Sequence, residues 1–231
     1  MIHFRNASFS YGGGEPVLSG VNLEIANGLS LLLGPNGSGK STLLKLAAGV
    51  ERPDSGSVEI MSCDLWTDEV AARRNLAYVP EHPDLTPYAT IRDIIRLVCR
   101  LRSEPFERGR EILESVGLEQ VANRSIRELS MGQRRRAILA AAWIGSPRVV
   151  LLDEPLESMD RGMRQQILAW IHRLIAESAV VVVATHEIEP FVAEAARAIT
   201  FASGTCILHD PLPEPAGKSA FLDSLSRAPV K

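Results

Sequence analysis

The stretch "GPNGSGKS", residues 34–41, lies between the apolar run "LSLLL" and the run "STLLKLAAG". Its glycines, Gly34, Gly37 and Gly39, let consecutive backbone N–H groups converge on one point, and a helix starting behind them adds its positive end. Lys40 is placed to reach the terminal phosphates of a nucleotide, and the Ser41 hydroxyl to ligate magnesium. Pro35, Asn36 and Ser38 fill the turn, and Thr42 follows at the helix start. A Gly-rich turn with an accidental lysine needs neither the strand before it nor the helix after it. The context therefore predicts a phosphate-binding P-loop for a nucleoside triphosphate.

Outward from this loop, "LSLLLG", "NLAYVP", "VVLLDE" and "AVVVVAT" are nearly continuous apolar runs, as expected for strands buried on both faces of a parallel sheet. "IHFRNASFSY" alternates like a half-buried strand, and "VLSGVNLEI" and "SGSVEIM" add further strands. Asn27-Gly28 is a strong turn signal between "VLSGVNLEI" and "LSLLLG". These N-terminal segments are expected to form an antiparallel β region. Residues 87–145 turn helical: Thr90 and Asp93 make a candidate capping box, and Ile91, Ile94, Ile95, Val98 and Leu101 follow at helical spacing. A second helix should run to about Val116 and end at Gly117. The expectation is an α/β P-loop NTPase core with a mostly parallel sheet, an N-terminal antiparallel β region and an inserted α-helical subdomain. One nucleotide-binding domain should span residues 1–209. Residues 210–231 would form a tail in which "DPLPEPAG" links to a short helix near "FLDSLSR".

Composition narrows the function. The 231 residues are 45% hydrophobic, enough for a core, and a net charge of −3 offers no basic footprint for nucleic acid. Three cysteines, Cys63, Cys99 and Cys206, are scattered without a CxxC pair, which points to a reducing compartment. No apolar run approaches the roughly 18–20 residues that span a bilayer. Any membrane part is expected from another chain.

Two further motifs carry chemistry. "VVLLDEP" puts Asp153 and Glu154 just past a buried strand, where open α/β sheets bind ligands. Asp153 is expected to hold magnesium, and Glu154 to act as general base toward the attacking water. His186 follows "VVVVAT" at another strand end. A lone histidine is usually structural, but on the same sheet edge as the two acids it suits a γ-phosphate contact. "LSMGQRRR", residues 129–136, reads locally as a capping box of Ser130 and Gln133. Its Arg134, Arg135 and Arg136 oppose the helix macrodipole, each by about 0.3–1 kcal/mol. Acidic side chains or a bound phosphate would offset that cost, and the local sequence leaves both open.

Taken together, Tyr11, "GPNGSGKST", "YVPE", "LSMGQRRR", "VVLLDEP", "ESMD" and "THE" appear in the order and spacing of an ABC-type ATPase, and the chain resembles that family up to about residue 210. The resemblance implies ATP and Mg²⁺ as ligands. It implies a second copy or a homologous cassette packed head to tail, with the helix start Ser130, Met131, Gly132 and Gln133 covering the γ-phosphate in the partner's P-loop. Tyr11 would stack on adenine, Asp160 would contact the partner, and His186 would act as the switch histidine. Ser41, Glu81 and Asp153 would serve the metal. A separate integral membrane permease would place the protein in the cytoplasm, peripheral on the inner face of the membrane. The main rival is a soluble ATPase of the same family acting on an assembly scaffold. A small-molecule kinase leaves "LSMGQRRR" and His186 without a role.

Two positions depart from the family pattern. Met131 replaces the first glycine of the signature and is expected to point away from the nucleotide. Glu81 stands where glutamine is usual. A glutamate still ligates magnesium but adds negative charge beside the γ-phosphate. Similar loops resemble those of bacterial two-component exporters.

Overall fold

The computed structural model describes residues 1–82 and 85–227. Strands β1 (Ile2–Phe9), β2 (Leu18–Ile25) and β3 (Gly28–Leu32) lead to helix α1 (Lys40–Ala47), then to β4 (Ser55–Ile60) and β5 (Cys63–Asp64). Helix α2 (Glu69–Arg74) precedes β6 (Leu76–Val79), and three helices follow: α3 (Ile91–Leu101), α4 (Phe106–Ser115) and α5 (Met131–Trp143). The chain returns through β7 (Val149–Asp153), α6 (Arg161–Ala176), β8 (Val180–Ala184), β9 (Ala195–Ala202) and β10 (Thr205–His209), and closes with α7 (Pro215–Arg227).

These strands make an antiparallel sheet of order β2-β1-β4-β5 and a six-stranded sheet of order β10-β9-β3-β8-β7-β6. In the larger sheet β9, β3, β8, β7 and β6 run parallel, and β10 adds an antiparallel edge. β7 and β8 are buried at every position, as their unbroken apolar runs require. β1 alternates less regularly. Asn6 sits at φ 50° with its N–H donated to Asn22 Oδ1 (2.9 Å), and the register shifts between Phe4 and Ala7. The bulge adds one residue, so Ile2, Phe4, Ala7 and Phe9 all stay buried.

The turn at Asn27-Gly28 joins two sheets instead of closing a hairpin. β2 pairs with β1, while β3 pairs with β8 and β9. β2 is half-exposed and β3 is buried along almost its whole length, so the two strands belong to different environments. The helical region runs from α3 at Ile91 to the end of α5 at Trp143. Thr90 Oγ1 accepts the Asp93 N–H (3.1 Å), and an Asp93 carboxylate oxygen accepts the Thr90 N–H (3.2 Å). Ile91, Ile95 and Cys99 enter the core, but Leu101 is 69% exposed at the helix end. Gly109 lets α4 lie against α3: a Cβ there would stand 2.6 Å from Ile95 Cγ2 and 2.8 Å from Cys99 Sγ. The tail differs from expectation. α7 starts inside the stretch read as a linker, buries Leu222, and sets Phe221 edge-on to His209. Residues 83–84 and the last four residues of the tail lie outside the described residues.

Gly109→Ala tests the helix contact. Overpacking should lower stability by about 1–3 kcal/mol, read as a fall in the urea midpoint with an unchanged slope. An unchanged midpoint would mean that α3 and α4 are not in contact there.

Candidate functional site

One rung of the parallel sheet sets the site: Leu32 pairs with Ala184, and Ala184 pairs with Asp153. The next residues on each strand leave the sheet at the same edge. There the cleft, about 380 Å³, is lined by Tyr11, Val17, Asn36, Gly37, Gly39, Lys40, Ser41, Thr42, Glu81, Asp153 and Glu154.

In the P-loop, Gly34, Gly37 and Gly39 take φ of 145°, 80° and 106°, a region closed to most side chains. Gly39 is the left-handed N-cap of α1, so the helix's free N–H groups open onto the cleft. Lys40 Nζ donates to the Gly34 carbonyl (2.7 Å) and the Pro35 carbonyl (3.0 Å), which folds the lysine back over the loop. Burial lowers its pKa, while Glu154, Asp153 and Glu81 act in the opposite direction. The Ser38 hydroxyl is buried without a hydrogen-bond partner among the described residues. Tyr11 packs edge-on against Phe9 (4.8 Å between centroids) and shares a 3.3 Å hydroxyl contact with Thr42, and the residue stays 48% exposed beside the cleft.

The acids divide by environment. Asp153 is 4% exposed and hydrogen-bonded by Ser41, and its pKa is raised by burial, then by Glu81 and Glu154. Glu154 is held at both oxygens. Thr185 Oγ1 donates to Oε2 (3.0 Å), and the His186 N–H donates to Oε1 (3.1 Å). His186 Nδ1 also lies 3.0 Å from Oε1. The hydrogen bond to Glu154 raises the His186 pKa, and the Coulomb attraction adds to it. Thr185 is the participant that sequence reasoning missed. Its only local signal is a hydroxyl at a strand end directly before His186.

The second motif stands apart from this cleft. Ser130 Oγ accepts the Gln133 N–H (3.2 Å), and Gln133 Oε1 accepts the Ser130 N–H (3.0 Å), so the expected capping box is present. None of residues 130–133 lines the cleft. Met131 is 61% exposed. Of the arginines, only Arg135 takes an acidic partner among the described residues, and backbone carbonyls supply the rest. Arg134 donates to the carbonyls of Ile126 (3.0 Å) and Arg127 (3.1 Å), and Arg136 to that of Val116 (3.3 Å), the C-cap of α4. Buried Arg135 donates to the Glu154 carbonyl and to Glu157 (3.4 Å). Carbonyls of other turns, of which those of Ile126 and Glu154 also accept a backbone N–H, together with one acid therefore offset the dipole cost. Asp160 caps α6 by accepting the Met163 N–H (2.9 Å), a structural role its sequence context did not reveal.

The His186–Glu154 pair sets a titration. The folded pKa of His186 is raised above 6.5. Its contribution to stability is therefore full below the unfolded value and lost as pH rises through the folded one. NMR titration of the His186 ring should show the raised value, and Glu154→Gln should return it toward 6.5. The same curve in both proteins would dissolve the pair.

Comparison with known proteins agrees with this arrangement. The family model described as ABC transporter matches residues 18–157. The sulfate/thiosulfate import ATP-binding protein of Thermosynechococcus vestitus is 41% identical over 178 residues, covering 75% of this chain and 52% of that protein. The spermidine/putrescine import ATP-binding protein of Spiroplasma citri is 34% identical over 226 residues, covering 95% and 62%. The chain thus spans little more than half the length of these relatives. A dimeric bacterial ABC transporter cassette superposes with a TM-score of 0.78 at 28% identity, over 91% of this chain and 98% of that one. With its P-loop, paired acids and Ser130 helix start all inside or beside the matched segment, the chain belongs to the ABC transporter family.

Proposed function

We propose that the protein is the ATP-hydrolysing motor of a membrane transporter, working as a head-to-tail dimer of cassettes around two ATP molecules. The observation that carries this reading is the separation of the two anion-binding elements within one chain. The cleft holds the P-loop and the acids, and the Ser130 helix start lies outside it. Gly132 supports the same conclusion. A Cβ added there would meet nothing within 4 Å, so the fold of this chain does not require a glycine. A nucleotide pressed against that helix start by a second cassette would require one.

In the closed dimer, P-loop N–H groups and Lys40 hold the β- and γ-phosphates, and Tyr11 stacks on adenine. The partner's Ser130 hydroxyl and Gly132 N–H cover the γ-phosphate from the other side, and Asp160 lies at the seam between the subunits. Glu154 takes a proton from the attacking water as its oxygen bonds to the γ-phosphorus. The bond from that phosphorus to the bridging oxygen breaks, and ADP leaves with the electron pair. Thr185 and His186 keep the Glu154 carboxylate aimed during this transfer.

Ser41, Asp153 and Glu81 fit a magnesium ion. Burial raises the Asp153 pKa, and Glu81 and Glu154 add to it, a surplus of negative charge that a cation relieves. Among the described residues no cluster of three or more His, Cys, Asp or Glu could hold a metal alone. That suits an ion held by a hydroxyl, carboxylates and the substrate's own phosphates. When bound, Mg²⁺ supplies neutralisation of phosphoryl charge.

Among the described residues no helix is long and apolar enough to cross a membrane. In this reading a permease holds the cassette at the inner face of the membrane. A groove of about 390 Å³ between α2 and the end of α3 suits its docking segment, with apolar Val70, Val98 and Leu101 bordered by Arg74, Arg102 and the Arg73–Glu69 ion pair (3.2 Å). The relatives above are named for an inorganic anion and for polyamines. Cassettes of one kind thus serve opposite cargo charges, and the choice of cargo and direction is assigned to the membrane partner.

Glu154→Gln should bind ATP, hydrolyse it slowly and accumulate as a dimer that co-purifies with a polytopic membrane protein. Recovery as a monomer, or with a soluble partner, would overturn the transporter reading. Lys40→Ala should lose tight ATP binding. Ser130→Arg should keep monomer binding while blocking the dimer, and wild-type dimer formation by Ser130→Arg would remove that helix start from the interface.

A further inference from the structure

The segment from Glu154 to Asp160 leaves the sheet in a constrained path, with Glu154 at φ 48° and Ser158 at φ 56°. L-residues keep such conformations only where their surroundings over-determine them. Two arginines do so here. Arg164 on α6 bonds the Glu187 carboxylate and donates to the Leu156 carbonyl (3.4 Å). Arg135 on α5 is 5% exposed. It donates one nitrogen to the Glu154 carbonyl and another to Glu157 Oε2 (3.4 Å), while its Nε is buried without a partner.

A guanidinium desolvated this far, with one donor unused, is costly to keep as glue. A methionine or leucine would fill the space between α5 and the loop without that cost. What distinguishes Arg135 is its position. It lies five residues, about 1.4 turns, along the same helix from Ser130, so a single rigid element carries both the surface offered outward and the grip on Glu154.

We propose that Arg135, with Glu157 as its counter-charge, is a positioning residue that couples Glu154 of its own cleft to the helix start offered to a second cassette. The inference rests on the dimeric reading above. When α5 is drawn onto the nucleotide of the other subunit, Arg135 transmits the displacement to the Glu154 carbonyl. The peptide can turn only within the limits that Thr185 and His186 set on the side chain. Closure at one site thereby sets the aim of the carboxylate at the other, and the two hydrolysis events become interdependent.

The test compares wild type, Glu157→Gln, Arg135→Lys and Arg135→Gln for ATP-dependent dimer formation, monomer affinity for a fluorescent ATP analogue, and ATPase rate against ATP concentration. Glu157 is 43% exposed at its side chain, so Glu157→Gln should fold normally and decides the matter if an Arg135 variant does not. The expected result is unchanged monomer affinity, a kcat lowered roughly 3- to 30-fold, and a Hill coefficient falling toward one. Arg135→Lys should lie between wild type and Arg135→Gln. Folded variants with wild-type kcat and Hill coefficient would overturn the inference. A lower melting temperature with an unchanged Hill coefficient would overturn it as well, leaving Arg135 structural. A wild-type protein that forms no ATP-dependent dimer would instead bring down the functional reading, and the inference with it.

Discussion

The alignment of β3, β8 and β7 on one rung is the constraint from which the rest of the site follows. Leu32, Ala184 and Asp153 lie level, so the P-loop, the Thr185-His186 step and Glu154 begin at one edge. β6 joins with Val79 opposite Leu152, which brings Glu81 to the same level as the acids. These strands are apolar on both faces, so hydrophobic alternation does little to pin their register. The ladder instead continues past the strand ends: the Glu154 N–H donates to the Ala184 carbonyl (2.8 Å), and the Leu33 N–H to the Ile199 carbonyl (2.9 Å). A slip of one residue would break those bonds and turn buried Asp153 away from Ser41.

That alignment creates an electrostatic imbalance. Three carboxylates and one ammonium share the cleft, and burial disfavours the charged forms of both Asp153 and Lys40. The acids partly support Lys40, but they repel one another around Asp153. A polyanion alone would worsen that repulsion, whereas a polyanion arriving with a divalent cation relieves it. Glu81 adds to that repulsion, whereas an uncharged glutamine at that position would not.

The helical region is tied to this edge by its arginines. α5 carries three consecutive guanidinium groups at its positive end, which is unfavourable locally. Each bonds a backbone carbonyl of another turn: Arg134 in the 3₁₀ turn Ile126–Glu128, Arg136 at the end of α4, and Arg135 in the loop of Glu154. The local cost thus becomes a set of tertiary links between α5, the neighbouring helix and the loop that carries Glu154. Gly109 serves the same subdomain by the opposite means, since the absence of a side chain lets α3 and α4 approach.

Features confined to a few adjacent residues were legible in the sequence. The glycine spacing of the P-loop, the Thr90/Asp93 and Ser130/Gln133 capping boxes, the unbroken apolar strands and the end of α4 near Gly117 all depend on backbone geometry over one or two turns. The start of α7 was missed: proline at the first helical position is a recognised signal, but the surrounding prolines read as a linker. What the sequence left open was partner choice over long separations. Asn27-Gly28 marks a turn, yet whether the next strand pairs back or enters another sheet depends on which strands occupy the two hydrogen-bonding edges of β3, here β8 and β9. Arginine partners, the hold of Thr185 on Glu154 and the cap made by Asp160 likewise depend on which groups the rung brings within about 3 Å of one another. The sequence alone therefore determined the chemistry available to this protein, because motif geometry is local. Only the tertiary structure decided which residues hold one another in place, because strand register and helix docking bring together groups that lie far apart in the chain.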